Sequence, residues 1–525
     1  MLKKFFSTTQ GKDLLAILFF IMVGAIYFFP VLMGYDLRLG DVDNARGMAG
    51  FVNYFHEFSG DPALWNPNAF LGMPSYMIYY PNPYFFSNVI LSKFFIFFGL
   101  GLGGFLFMCF GFYTLLKSFN YGPLLSAGGS LLYAFSGYFI VVLSAGHFNK
   151  IYAVGAFPFL FAGIVHLLKD RKQIGYLTIT FGGLVALLSN HPQIFYYYSW
   201  ILGIYLLVEL YKLYKKGTIS AHFKQFSIAA GILIICGLAV SESYLNTYNY
   251  SKSTIRGDND ISSPSSGDSE TGLDLSYITQ WSYGIEESFN LIIPAFKGGG
   301  SSQIGNRSET KNVSPRFKQN IESSSLYWGN QPFTAGPSYM GIVVFILFVF
   351  GMVFIKNRMK WIFFGLSILA LMLAWGKNFM GLTEFFVNYF PLYKKFRAVT
   401  MIHSIIGFCF PLVGIWFLND LLKGKIDYKK KKFFVVSGMI LGGLIVFYLA
   451  GDSMFSFISN RENANFAQQA SSNDQMRGLI QKFVDELISV RFSIFKTDIL
   501  RALFFAIISV GSVYYFFKGK LKPVV

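Results

Sequence analysis

The chain has 525 residues; 54% are hydrophobic, 19% are aromatic and only 14% carry charge, against roughly 25% charged residues in a soluble domain. This excludes an ordinary soluble enzyme and marks a polytopic membrane protein. The net charge of +17 then reads as lysines held on one side of a bilayer rather than as a nucleic-acid surface, and no strand–Gly-loop–helix phosphate motif accompanies it.

Taken in chain order, Lys3 and Lys4 precede an apolar run over 14–33. It is longer than a signal-peptide core and lacks a small-x-small cleavage site, so it is expected to stay as a first span. Further runs lie at 89–116, 121–143, 151–168, 174–189, 192–213, 225–244, 339–355, 360–375, 400–420, 432–450 and 499–517. A hydrocarbon core about 30 Å thick takes about 20 helical residues. Twelve spans are therefore expected in one all-α transmembrane domain over 1–525, the fifth and ninth being short. Cys109, Cys236 and Cys409 fall inside these runs without metal-ligand spacing, which points to core packing.

The connections alternate in character. One set is short and basic, with Lys117, then Lys169 to Lys172, Lys212 to Lys224, Lys356 to Lys360, Lys423 to Lys432 and Lys518 to Lys522. The positive-inside rule places these loops and both termini in the cytoplasm, and the protein in the cytoplasmic (inner) membrane. The other set, 34–88, 144–150, 190–191, 245–338, 376–399 and 451–498, is then expected outside.

Those outer loops hold the polar chemistry. The first reads GDVDNARGMAGFVNYFHEF, with Asp41 and Asp43 ahead of a stretch in which Met48, Phe51, Val52, Tyr54 and Phe55 recur at helical spacing. This predicts an amphipathic helix over 45–58 lying on the membrane, with Asp41 at its start, as cap or as acid. Trp65, Pro67, Gly72, Met73 and Pro74 predict a compact turn, and Tyr76, Tyr79, Tyr80 and Tyr84 an aromatic belt. Two tight turns carry His147, Asn149 and Lys150, and His191 with Gln193. Turns need no such residues, and groups of this kind are costly at membrane depth unless they find partners. Lys394, Lys395 and Arg397 make a basic cluster at an expected helix start. It suits a phosphate or, equally, anionic lipid headgroups. Glu286 and Glu287 lie in a stretch of helical spacing, FKGGGSSQIGN reads as a flap or a linker, and 257–272 is polar and Ser/Gly-rich. The segment 456–498 reads as an outer amphipathic helix. Ionisable residues near spans, Lys93, Glu209 and Glu242, sit at span ends, which counts against a proton- or ion-coupled transporter.

GDVDNARGM…WNPNAFLGMPSY, AGHFNK, NHPQIFYYY, QWSYGIEES…PAFKGGGSS, GPSYMG and AWGKNF…FPLYKKFRA together resemble the YfhO-type bacterial membrane proteins, over almost the whole chain. Many of those proteins continue into further spans, whereas this sequence ends just past Lys522. The resemblance implies the GT-C glycosyltransferase superfamily. It implies a polyprenyl-phosphate-linked sugar as donor, an envelope polymer or lipid as acceptor, and an acidic residue in the first outer loop. By its distance from Gly47 and Met48, that residue is Asp41. The expected roles are Asp41 as general base, with Lys150, Lys394, Lys395 and Arg397 toward the phosphate and His147 and His191 as hydrogen-bonding partners. No cofactor is implied; a divalent cation is compatible with two nearby carboxylates. The alternative readings are a lipid or polysaccharide transporter and a non-catalytic envelope assembly factor. A transporter should show a cavity crossing the membrane midplane, and an enzyme a cavity open at one side.

Overall fold

The computed structural model describes residues 8–77, 93–95, 97–254, 273–471 and 474–521. Tyr79, Tyr80, Tyr84, the stretch 257–272 and the start of the second expected span lie outside them. Almost every element is helical. Eight helices among the described residues are long and apolar enough to cross a membrane, or ten if each of two bent pairs is one crossing. The chain is an all-α, multi-pass membrane protein. It forms two compact units, Met1–Phe135 with Val142–Leu273, and Ser136–Val141 with Asp274–Val525.

The helices of the first unit are α1 (Thr9–Tyr27), α2 (Gly40–Met48), α3 (Gly50–Ser59), α4 (Leu100–Ser118), α5 (Pro123–Ala134), the end of α6 (Gly137–Ser144), α7 (Phe148–Leu168), α8 (Lys172–Leu188), α9 (Pro192–Lys215), α10 (Ile219–Ala239) and α11 (Ser241–Ser251). Helices α4 and α7 are buried along most of their length. Helices α1, α9 and α10 surround them and leave Leu18, Ile26, Leu207, Ile234 and Leu238 exposed, as a lipid-facing surface requires. Lipid offers no hydrophobic drive between helices, so close backbone approach at small residues holds them together. Gly182 of α8 faces the α7 backbone, where an added Cβ would lie 2.5 Å from the Leu160 nitrogen. Asp13 ties α1 to α4 by accepting from the Tyr113 hydroxyl (2.5 Å) and pairing with Lys117 (3.0 Å). Helix α8, in the place of the short fifth run, is apolar but only 17 residues long.

The surface helix expected over 45–58 begins five residues earlier and is two helices, α2 and α3, meeting at Ala49. The turn-rich segment behind them is a small hairpin, β1 (Trp65–Asn66) against β2 (Met73–Pro74). Asn66 is buried and fixes it. Its Nδ2 donates to the Met48 carbonyl at the end of α2 (2.7 Å), and its Oδ1 accepts from the Asn68 amide (3.1 Å). Gly72 has φ +117° beside the Trp65 ring, a position only glycine fills without strain.

The second unit holds α12 (Pro315–Ser323), α13 (Ile342–Phe354), α14 (Lys360–Ala374), α15 (Met380–Tyr389), α16 (His403–Leu422), α17 (Lys430–Met454), α18 (Asn460–Ser471) and α19 (Asp474–Phe517). Helix α16 is its buried centre. Helix α13, in the place of the eighth run, has 13 residues. The ninth run is α14, after which the chain turns by 111° into Gly376–Tyr389.

Two sequence expectations need correction here. The glycine-rich stretch is neither flap nor linker: Ser301, Ile304 and Leu326 amides donate to the Thr334, Ser324 and Ser302 carbonyls (2.8, 2.9 and 2.8 Å). The segment 456–498 is not one separate amphipathic helix. It comprises α18 and the first half of α19, which runs unbroken into the last apolar run. Ile304, Ile321, Leu326, Leu487 and Val490 form a common core beneath the polar loop sequence. Arg491, fully buried, reaches the Glu462 carboxylate with both terminal nitrogens (3.0 and 2.7 Å) and the Phe457 and Ser325 carbonyls. Such a pair holds because the carboxylate and the two carbonyls meet both terminal nitrogens, although Nε of Arg491 is left buried without a hydrogen-bond partner among the described residues.

Candidate functional site

The opening acidic motif is placed by a turn. The chain leaves α6 through Ala145 and Gly146, and Gly146 takes φ +85°. The Asp41 amide donates to the Ala145 carbonyl (3.1 Å), docking the first turn of α2 onto that corner. Asp41 does not cap α2. The N-cap is Leu39, no side chain bonds the free amides there, and Asp41 lies inside the first turn. Its carboxylate turns to His147, with Oδ2 2.6 Å from Nδ1. A carboxylate oxygen can only accept, so the imidazole proton is on Nδ1 and Nε2 keeps its lone pair. Both side chains stay accessible, 52% for Asp41 and 35% for His147. Asp43 points elsewhere, toward Arg46 at 3.8 Å.

Burial of the ring and the Lys150 charge lower the His147 pKa to about 4, against the opposing pull of Asp41. Burial and Lys150 lower His191 further, to about 3, with His147 adding to the effect. Both imidazoles are therefore neutral at physiological pH. The structure thus brings Asp41, His147, Lys150 and His191 into one electrostatic group. His191 also caps α9, its Nδ1 accepting from the Ile194 amide (3.3 Å). Gln193 is buried and donates to the Tyr197 hydroxyl (3.0 Å), so it braces α9. Asn149 is exposed on the first turn of α7.

A cavity of about 770 Å³ opens beside α2. Arg38, Arg46, Asp36 and Asp43 line it together with apolar Val31, Leu37, Leu100 and Tyr152. Its walls come from the end of the first apolar run, the first loop and the starts of α4 and α7. Arg38 and Arg46 were missed as site candidates from sequence. The signal available was YDLRLGDVDNAR, where two arginines alternate with acids next to a span.

In the second unit, Lys394 and Lys395 fall in a separate three-residue turn, Tyr393–Lys395. The helical path to α16 starts only at Val399, after Ala398 in a left-handed conformation. The expected placement of the basic cluster at a helix start is therefore corrected: the cluster precedes it. Arg397 donates to the Tyr277 hydroxyl and lies over that ring, 5.3 Å from its centre. Glu286 and Glu287 sit on a 3-10 turn. Glu287 is buried and accepts from the Tyr327 hydroxyl (2.6 Å), the Gly284 amide (2.5 Å) and Gln331 (3.3 Å). Lys297 pairs with Glu286 (2.5 Å) over the face of Trp328 (3.9 Å). These groups satisfy one another and lock the two motifs together. Among the described residues no three His, Cys, Asp or Glu side chains gather as a metal-holding group.

The chain matches no protein-family model, no curated protein and no solved structure.

Proposed function

We propose that this protein is a GT-C-type membrane glycosyltransferase. It moves a sugar from a polyprenyl-phosphate donor to an envelope polymer or lipid on the outer side of the cytoplasmic membrane. In this reading α8 and α13 also cross, giving twelve spans with both termini cytoplasmic. Two observations carry the reading. One is the Asp41–His147 pair at the start of α2. The other is a cavity that Asp41 and His147 do not themselves line but whose wall includes their α2 neighbours Val42, Asp43 and Arg46, with apolar side chains and Arg38. An amphiphile with an anionic head suits such a cavity: alkyl chain against Val31, Leu37 and Leu100, phosphate toward Arg38 or Arg46.

The chemistry follows from those residues. The acceptor hydroxyl gives its proton to the Asp41–His147 pair as its oxygen bonds the anomeric carbon. The bond from that carbon to the phosphate oxygen breaks, and both electrons stay with the leaving polyprenyl phosphate. Arginine charge stabilises that leaving group. Asp41 fixes the imidazole tautomer, so the proton goes to the carboxylate or to Nε2 of His147. The cavity draws its walls from one end of the first unit's helices rather than their midpoints, which favours an enzyme over a transporter. Lys394, Lys395 and Arg397, in the second unit, stand as candidates for a phosphate or for lipid headgroups.

The test is mass spectrometry of envelope glycans and polyprenyl-linked sugars with and without the protein, followed by transfer assays on purified chain. Loss of a glycan together with build-up of its lipid-linked sugar is expected. Unchanged pools would remove the transferase reading.

A further inference from the structure

A second cavity, of about 210 Å³, lies wholly within the second unit, where the loop module meets α19. Four charged side chains line it: Arg307, Glu309, Asp498 and Arg501. Leu326 and Ile494 provide apolar wall, and no aromatic ring lines it among the described residues. Each charge is held in place. Asp498 accepts from the Ala295 amide (3.0 Å) and from Arg501 (2.7 Å). Glu309 accepts from Thr497 (3.2 Å) and Ser308 (2.8 Å). Arg307 is tethered through Nε to the Ile304 carbonyl (2.7 Å), which leaves its two terminal nitrogens without a protein hydrogen bond among the described residues.

The level of this cavity on α19 is readable from the helix surface. Before it, the exposed residues are polar, as at Gln481, Lys482 and Asp485. Just after it, Leu500, Phe504 and Ile507 are 50%, 60% and 59% exposed. A switch from exposed polar to exposed apolar side chains marks the point where a helix enters hydrocarbon. The cavity is therefore at headgroup depth. Its size is below the roughly 300–1,000 Å³ of sites for drug-sized ligands.

Two cations and two carboxylates face one space. A lone anion there meets two carboxylates, and a lone cation meets two guanidinium groups. Asp498 and Arg501 already pair with each other at 2.7 Å, so Arg307 and Glu309 are the charges most open to a ligand. One carrying both charges a few bonds apart meets them together, while Asp498 and Arg501 keep spare acceptor and donor positions toward it. Guanidinium groups bind phosphate through paired N–H donors. Carboxylates need N–H donors in return, which a primary ammonium has and a trimethylammonium lacks. We propose that this cavity binds the headgroup of a zwitterionic phospholipid bearing a primary amine, its phosphate at Arg307 and Arg501 and its ammonium at Glu309 and Asp498. The site shares no lining residue with the cavity beside α2 and does not depend on the transferase reading.

Native mass spectrometry of the full chain tests this with phosphatidylethanolamine, phosphatidylcholine and phosphatidylglycerol of identical acyl chains. Phosphatidylethanolamine should be retained about tenfold better than either, the size expected for one charge-assisted hydrogen bond. Glu309→Gln should remove its advantage over phosphatidylcholine, and Arg307→Gln should weaken its binding. Arg501→Gln, on a side chain 70% exposed, is the second arginine variant if Arg307→Gln misfolds, as judged by melting temperature. Soluble phosphoethanolamine should displace the lipid, whereas inorganic phosphate at equal concentration should not. Equal retention of the three lipids, an unchanged preference in Glu309→Gln, or displacement by inorganic phosphate alone overturns the proposal.

Discussion

Gly146 packs so closely on Val42 that a Cβ on the glycine would lie 3.1 Å from Val42 Cγ2 and 3.2 Å from its amide nitrogen. This contact, at φ +85°, seats the first turn of α2 and so brings Asp41 to His147. Gly146→Val should combine left-handed strain with this crowding and cost about 1–3 kcal/mol. Sugar transfer should fall along with melting temperature. A variant with both values unchanged would show that the corner does not position the pair.

Asp41→Asn separates capping from chemistry. Asn caps as well as Asp, and Asp41 makes no cap bond in any case. Melting temperature should therefore hold, while transfer falls about 10²- to 10⁴-fold, the usual loss for a general base. Asp43→Asn, which loses a loose contact to Arg46 and one charge from the cavity wall but no bond to His147, should be milder. His147→Gln tells which atom takes the proton: a loss as deep as that of Asp41→Asn assigns Nε2, and a shallow one assigns the carboxylate. Normal turnover in Asp41→Asn removes the pair from the mechanism.

The two histidines set a pH dependence with a definite sign. In the unfolded chain each titrates near 6.5, and in the fold they titrate at about 4 and about 3. Between those values the unfolded chain binds protons that the folded one refuses. Stability should therefore fall as pH drops below about 6.5, down to about 4 for His147 and about 3 for His191. The exposure of His147 shrinks its share. Melting temperature at pH 5 against pH 7.5 measures the effect, and His191→Gln should flatten it. An identical slope in that variant would place the acid sensitivity elsewhere.

In the second unit Arg491, fully buried, pairs with the part-buried Glu462. Removing Arg491 strands the Glu462 carboxylate, and because that group is 24% exposed the cost lies toward the low end of the about 3–5 kcal/mol of a fully buried pair. Arg491→Ala should destabilise accordingly, and Arg491→Met, which keeps apolar bulk, less so. Equal melting temperatures for wild type and Arg491→Ala would refute the anchor.

Topology is open to labelling, because Cys109, Cys236 and Cys409 are all buried and give little background. In intact spheroplasts a cysteine introduced at Ser323 should react with an impermeant reagent, and one at Lys430 should not. Reaction at Lys430 contradicts the twelve-span reading.

Hydropathy by itself determined the helices, because an apolar run long enough to cross a bilayer leaves the backbone no partner but itself. Every expected run carries a helix, and the mixed residues of the two tight turns were visible as chemistry without knowledge of their neighbours. The sequence could not say which of those residues meet. Asp41 and His147 are joined by a left-handed glycine and one backbone bond, neither of which leaves a periodic signal. The cap reading of Asp41 failed because α2 starts at Gly40, a boundary set by docking on Ala145. The polar, glycine-rich loop looked unstructured because its core is completed by α18 and α19, more than a hundred residues later. Burial across such a distance is a property of packing, so Arg491, an ordinary charged residue in sequence, becomes the anchor of a unit only when Glu462 and two carbonyls close around it.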